Sequence, residues 1–284
     1  MKEIDKRSLR IAILDLYEGE VNQGMRCLRE IITNFGSTHQ VNIQVNEFDV
    51  RQKCKVPGLD YDIYISSGGP GSPLESKGSD WENNYFSWLQ AVETFNADLR
   101  NSIKKQIFLI CHSMQLVTRY YNIATVNKRK STSFGVFPIH ILSSAKNEAI
   151  FNGLSNPFYV VDSRDYQIIQ PNNEKIKQIG ASILSIEKER PHVPLERAIM
   201  AMRFNENMIG TQFHPEADAE GMLLHLMTDE KKQTVIENHG AEKWASMIEQ
   251  LNNPEKIMHT YLHILPNFLE QSINKIFKEN LIAQ

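Results

Sequence analysis

The chain predicts an α/β fold: a doubly wound, mostly parallel sheet with helices on both faces, a small antiparallel excursion and a helical extension at the C-terminus. Three observations carry that expectation. Four apolar, β-rich runs in the first half are mostly separated by amphipathic helical patterns, the alternation that builds a parallel sheet. The middle of the chain changes to short strand-like segments divided by turn-rich polar stretches. From Ala217 onward the pattern is helical.

The elements follow in order. Leu9–Leu16, Gln40–Phe48, Tyr61–Ser66 and Gln106–Cys111 are the four runs of the first half. Met25, Leu28, Ile31 and Ile32 recur on one helical face that ends near Gly36. Trp81 to about Ala97, with Phe86, Leu89, Val92 and Phe95, gives another such face. In open α/β sheets, sites form outside the carboxyl ends of the strands, and both the Gly68–Pro73 loop and Cys111 fall there. Between about 131 and 213 the strand candidates are Phe137–Leu142, Phe158–Val161, Ile179–Ile186 and Ala198–Phe204, after which Met208–Phe213 rejoins the main sheet. Trp244, Met247, Ile248 and Leu251 mark one amphipathic helix, and Ile257, Tyr261, Ile264, Leu265 and Phe268 another. Proline has no N–H to give a helix, so a kink or interruption is expected at Pro266. These stripes read as faces packed on the domain, with a partner interface as the alternative.

Composition narrows the function classes. The chain has 284 residues, 41% hydrophobic and 23% charged, with a net charge of −3. That is ordinary globular composition, and its near-neutral balance gives no electrostatic reason to expect nucleic acid or an anionic membrane as a partner. The three cysteines, Cys27, Cys54 and Cys111, include no C-x-x-C pair. Such a sparse, odd set points to a reducing compartment and away from a disulfide framework. No Cys/His cluster has zinc-ligand spacing, so neither a metal nor a cofactor is expected. The apolar run Ile11–Leu14 is broken by Asp15, too short for a signal-peptide core or a bilayer span. The expected location is the cytoplasm. Nothing in the sequence sets an oligomeric state.

Three segments carry chemistry. In Gln106-Ile-Phe-Leu-Ile-Cys-His-Ser-Met-Gln115 an apolar run ends at a thiol. A strand that delivers a cysteine to a helix N-terminus favours the thiolate, because unpaired N–H groups and a partial positive charge sit there. A lone cysteine is otherwise often a small buried hydrophobe. Gly210-Thr-Gln-Phe-His-Pro-Glu216 supplies an imidazole and a carboxylate two positions apart, the pairing of a base with its orienting group. Alone, it is as readily a solvated turn. Ser66-Ser-Gly-Gly-Pro-Gly-Ser-Pro73 presents glycine amides suited to an oxyanion. It lacks the Lys-Ser/Thr ending of a nucleoside-triphosphate loop and the spacing of a dinucleotide binder; alone, it too is a plain turn. Together the three describe nucleophilic acyl transfer, with Cys111 as nucleophile and the backbone N–H of His112 aimed at the oxyanion.

In this combination and order the motifs resemble the class I (triad) glutamine amidotransferases, particularly stand-alone GMP-synthase-like members, over roughly residues 9 to 225. The family patterns S-G-G-P, G-x-C-x-G-x-Q and G-x-Q-F-H-P-E stand here as Ser67–Pro70, Leu109–Gln115 and Gly210–Glu216. The resemblance implies a flavodoxin-like domain over residues 1–225, with residues 226–284 a helical extension packed on it. It makes Cys111 the nucleophile, His214 the base and Glu216 its orienter, with Gly69 and His112 as oxyanion donors. Substrate contacts fall to Gly68, Gln115, Ser163, Arg164 and Tyr166; Ser163–Ile168 stands where the family has S-H-x-D/W-x-V, with Arg164 in the histidine's place. An arginine there either pairs an α-carboxylate or is surface charge. Leu109 and Ser113 replace both glycines that flank the nucleophile. The implied reaction hydrolyses the side-chain amide of L-glutamine through a γ-glutamyl thioester and releases ammonia to an acceptor synthase subunit on another chain. The alternatives are a γ-glutamyl peptide hydrolase or transferase with the same triad, and a catalytically inactive regulatory subunit.

Overall fold

A computed structural model describes residues 8–20, 22–192, 194–251 and 253–282. Nine strands form one sheet in the order β2-β1-β3-β4-β9-β8-β7-β5-β6. The parallel half contains β1 (Ser8–Asp15), β2 (Asn42–Asp49), β3 (Ile63–Ser66), β4 (Gln106–Ile110) and β9 (Met208–Thr211). The antiparallel half runs from β9 through β8 (Ile199–Asn205), β7 (Ser182–Glu187) and β5 (Thr125–Ile141) to β6 (Phe158–Ile169). The mixed sheet and its helices match the expected doubly wound class.

Period-two alternation along β1 explains why both faces are covered. Leu9, Ile11 and Ile13 enter one apolar cluster with Met25, Leu28, Ile31 and Ile32 of α1 (Gln23–His39). Ala12 and Leu14 enter another with Tyr85, Trp88, Leu89 and Val92 of α2 (Asp80–Ala97) and with Leu116 and Val117 of α3 (His112–Tyr121). Central strands buried on both faces read as continuous apolar runs; the pattern of β3 and β4 is buried at every position.

Helices α5 (Ala219–Leu226), α6 (Asp229–His239) and α7 (Ala241–Leu251) follow β9. Met222, Leu226, Val235, Met247 and Leu251 from these helices cluster with Phe134 and Val136 of β5 and Val161 of β6. Helix α8 (Pro254–Ile282) then returns to the first face of the sheet. Its Tyr261, Ile264, Leu265, Phe268 and Leu269 are buried in the α1-side core, and Phe268 meets Phe108 of β4 edge-on, with ring centroids 5.0 Å apart.

The structure corrects three expectations. The antiparallel excursion begins at Thr125, not near residue 131, because the first half of β5 is polar and largely exposed and offers no apolar alternation. A short helix, α4 (Asn173–Gln178), precedes β7, so Ile179 caps a helix and does not open a strand. Pro266 does not interrupt α8. The carbonyl left unpaired by that proline belongs to Leu262, which is 58% exposed and so on a side where water can take the bond.

Truncating Phe268 to alanine is expected to cost about 3–5 kcal/mol in denaturant unfolding. Leu262→Ala, on the exposed side of the same helix, should stay within about 0.5 kcal/mol of the parent. Equally small losses at both positions would show that α8 is not part of the folded core.

Candidate active site

Cys111 lies where β4 turns into α3, with φ 47° and ψ −100°. A cysteine adopts this conformation only when its surroundings impose it. Its N–H donates to the Thr211 carbonyl of β9 at 2.7 Å, and its carbonyl receives the first helical bond, from the Gln115 N–H at 3.0 Å. The residue therefore stands at the carboxyl end of the sheet and at the helix N-terminus, 5% exposed. A depression of about 500 Å³ beside Leu59, Ala91 and Phe95 lies along α2, lined by none of the motif residues.

Both residues that replace flanking glycines fit the elbow. Ser113 completes a buried chain of hydroxyls: Tyr85 Oη donates to Ser66 Oγ at 3.0 Å, Ser66 and Ser113 share a 2.7 Å bond, and Ser113 Oγ donates to the Ser67 carbonyl at 2.5 Å. Leu109 pairs in register with Gly210. A Cβ on Gly210 would come within 3.1 Å of the Leu109 Cβ and 3.2 Å of its carbonyl oxygen, so β9 has little room for a side chain beside this residue.

His214 and Glu216 follow β9 and return to the thiol. The His214 N–H donates to the Val161 carbonyl at 2.9 Å, joining this turn to β6. Its Nδ1 meets Glu216 Oε1 at 2.8 Å, and the Glu216 side chain is only 2% exposed. Arg26 of α1 grips Asp218 through two bonds of 2.8 and 2.9 Å, which anchors the chain just beyond Glu216. Burial opposes an imidazolium at His214, but Glu216, hydrogen-bonded to it, and the nearby Cys111 outweigh burial and raise its pKa well above the ordinary histidine value. His112 behaves oppositely. Burial, reinforced by Arg51 and Arg119, pushes its ring down to about 3, so it stays neutral. Among the described residues, neither the Gly69 nor the His112 amide donates to another group.

The glycine loop is closely fitted. Ser67 Oγ accepts from the Leu16 N–H at 2.9 Å and donates to the Gly68 carbonyl at 2.8 Å. That second bond orients the peptide unit that carries the Gly69 N–H. A Cβ on Gly69 would sit 2.4 Å from the Leu16 carbonyl oxygen, and one on Gly68 would sit 2.8 Å from His214 Cε1. Neither position admits a side chain. The same point above Gly68 is 3.4 Å from Tyr17 Oη, which brings Tyr17 to the site. Burial, with Glu216 next in effect, keeps the Tyr17 phenol protonated. The motifs did not include Tyr17; its place just past the carboxyl end of β1 was the available signal.

The remaining predicted residues line β6 and α3. The Ser163 carbonyl is 4.0 Å from Cys111 Sγ. Gln115 Nε2 reaches the Tyr166 carbonyl at 3.4 Å. Arg164 is not surface charge, being 5% exposed. Its guanidinium is engaged by Asp162 at 2.8 Å, the Tyr166 carbonyl at 3.2 Å and Glu187 at 3.4 Å. Burial alone would raise the Glu187 carboxyl, but Arg164, Arg129 and Arg190 hold it below the usual range. Among the described residues no His/Cys/Asp/Glu group is arranged to hold a metal, and no helix is long and apolar enough to cross a membrane.

A family model described as glutamine amidotransferase class-I matches residues 14–233. Among solved structures, the chain is similar to a glutamine amidotransferase from Thermotoga maritima at 16% identity and a TM-score of 0.63, covering 93% of this chain and 98% of that one. It is also similar to a glutamine amido transferase from Methylobacillus flagellatus at 14% identity and a TM-score of 0.56, covering 92% and 95%. The glutaminase domain of Trypanosoma brucei CTPS, solved with bound acivicin, matches at 16% identity and a TM-score of 0.54, covering 73% and 86%. At these identities the likeness speaks to the fold. No curated protein matches the chain.

Because Glu216 helps to raise His214, Glu216→Gln is expected to bring the imidazole titration down toward the ordinary histidine range. NMR of ring-labelled protein reads this directly, and an unmoved titration would mean that Glu216 does not set the charge on His214.

Proposed function

The chain belongs to the class-I glutamine amidotransferases, an enzyme family with a cysteine nucleophile, and from that membership we propose that it hydrolyses the side-chain amide of L-glutamine through Cys111. The observation that carries the proposal is the positive-φ elbow at Cys111, set beside a His214 that is itself bonded to Glu216.

The roles follow from the contacts. The Cys111 thiolate attacks the amide carbon, and the Gly69 and His112 N–H groups receive the charge that develops on oxygen. His214, charged in the resting pair, gives its proton to the departing nitrogen as the C–N bond breaks. This leaves a γ-glutamyl thioester and ammonia. Neutral His214 then takes a proton from water, whose oxygen attacks the thioester; glutamate leaves and Cys111 is regenerated. Glu216 fixes the ring and stabilises its charged form at each turn of the cycle. Gly68, the Ser163 carbonyl, Gln115 and Tyr166 form the wall beside the γ-glutamyl group. Arg164 shapes that wall through Asp162 and Glu187, since those carboxylates already occupy its fork.

We assign the ammonia acceptor to another chain. Class-I glutamine amidotransferases frequently work with an acceptor synthase partner, and that association supports the assignment. We read the protein as a stand-alone GMP-synthase-like member, with an amidotransferase domain over residues 1–225 and residues 226–284 as a helical extension packed on it, a reading that the three motifs support.

Glutamate release by the purified protein, from glutamine and from a γ-glutamyl dipeptide, tests the reading. Cys111→Ala should abolish it, while Glu216→Ala should slow it by about two to four powers of ten. Undiminished hydrolysis by Cys111→Ala would defeat the proposal, and a marked preference for the dipeptide would replace it with a γ-glutamyl hydrolase.

A further inference from the structure

Outside all three motifs, Arg51 follows β2 on a chain held to the end of β1 by the Val50 N–H, which donates to the Asp15 carbonyl at 3.0 Å. Its side chain is 11% exposed and paired with Glu18 at 2.7 Å. Nη1 donates to two carbonyls: Pro70 at 2.7 Å and Leu16 at 3.3 Å. The guanidinium carbon lies 5.2 Å from the centroid of the Trp81 ring, near the start of α2.

Those two carbonyls flank Gly69. Leu16 is the group on which the Gly69 backbone rests, so closely that a Cβ there would be only 2.4 Å from its oxygen. Pro70 is the next residue, and its ring fixes φ, so the position of its carbonyl is transmitted to the preceding peptide with little slack. Ser67 holds the Gly68 carbonyl from the other side. Ser67 thus fixes the peptide that carries the Gly69 N–H, while among the described residues Arg51 is the one side chain that bonds both the Leu16 carbonyl under Gly69 and the Pro70 carbonyl after it, which holds the loop on its other side.

We infer that Arg51 is a positioning residue for the oxyanion hole, clamping the Leu16 and Pro70 carbonyls so that the Gly69 amide points at the oxygen of the reacting carbonyl. This rests on the hydrolytic reading above. Arg51 need not touch the substrate. Its influence appears in the acyl-transfer step, where charge collects on oxygen and a small error in donor placement is costly. A planar fork suits two carbonyls in a way that the point charge of lysine does not.

The test compares two reactions of the same thiol. Hydrolysis of glutamine builds an oxyanion. Alkylation of Cys111 by iodoacetamide forms a C–S bond and expels iodide, with no charge on oxygen. Arg51→Met should lower kcat for glutamine hydrolysis by about tenfold to a hundredfold. It should leave KM within about threefold of wild type, because little substrate binding is lost, and leave the alkylation rate of Cys111 unchanged. Arg51→Lys, which keeps the charge but not the fork, should show the same split at smaller amplitude, and it carries the test if Arg51→Met does not fold. Unchanged kcat in the variants overturns the inference, as does a parallel fall in hydrolysis and alkylation, which would indicate a collapsed site. A wild-type protein that hydrolyses no γ-glutamyl amide defeats the amidotransferase reading itself, whereas an active wild type with indifferent Arg51 variants defeats only the role given to Arg51.

Discussion

The backbone at Cys111 is held at φ 47° and ψ −100°, an arrangement that costs on the order of 1–3 kcal/mol and persists only where the surroundings impose it. Here they act from three sides. β9 accepts the Cys111 N–H, α3 begins by bonding to the Cys111 carbonyl, and the hydroxyls of Ser66, Ser113 and Tyr85 fill the space beneath the turn. Most features of the site follow from that elbow. β4 must be central and buried on both faces to supply a rigid base, and β9 must be its neighbour. The chain leaving β9 then places His214 and Glu216 within reach. Gly210 lies close against the Leu109 Cβ and carbonyl, and the positive-φ conformation at Cys111 stands with Leu109 and Ser113 in place of the usual flanking glycines.

Two histidines beside one thiol are shifted in opposite directions. Burial disfavours the imidazolium of both. At His214 the neighbouring Glu216 and Cys111 overcome that cost and raise the ring; at His112 nothing opposes it, and burial, reinforced by Arg51 and Arg119, pushes the ring down to about 3. The ring beside Glu216 thus favours its charged form, while the His112 ring stays neutral. Such opposed shifts divide roles between groups of the same type.

Much of this was legible in the sequence for physical reasons. β1, β3 and β4 stood out because strands buried on both faces are apolar at nearly every position, and the three motifs marked the carboxyl ends where a site forms. What stayed hidden was polar. The first half of β5 carries Asn127, Lys128, Arg129 and Lys130, so no alternation announced it as a strand. Arg164 looked like either a ligand for carboxylate or surface charge, yet it is buried between Asp162, two residues back on the same strand, and Glu187, a partner that only the tertiary fold brings near. Tyr17 and Arg51 reach the site through tertiary contacts with Gly68, Leu16 and Pro70. A continuous α8 escaped prediction because Pro266 argues locally for a break, while the burial of Tyr261, Ile264, Leu265 and Phe268 keeps the helix together.

The central claim is that one thiol of three is activated within a glutamine site, and the molecule contains its own controls. Cys27 is buried, with its thiol pushed up to about 12, and Cys54 lies half-buried elsewhere. The most direct measurement is peptide mapping after brief exposure of the intact protein to a thiol-directed glutamine analogue, with and without excess glutamine. The account predicts modification at Cys111 alone, suppressed by glutamine. Labelling that favours Cys54, or labelling of Cys111 that glutamine does not slow, would contradict it.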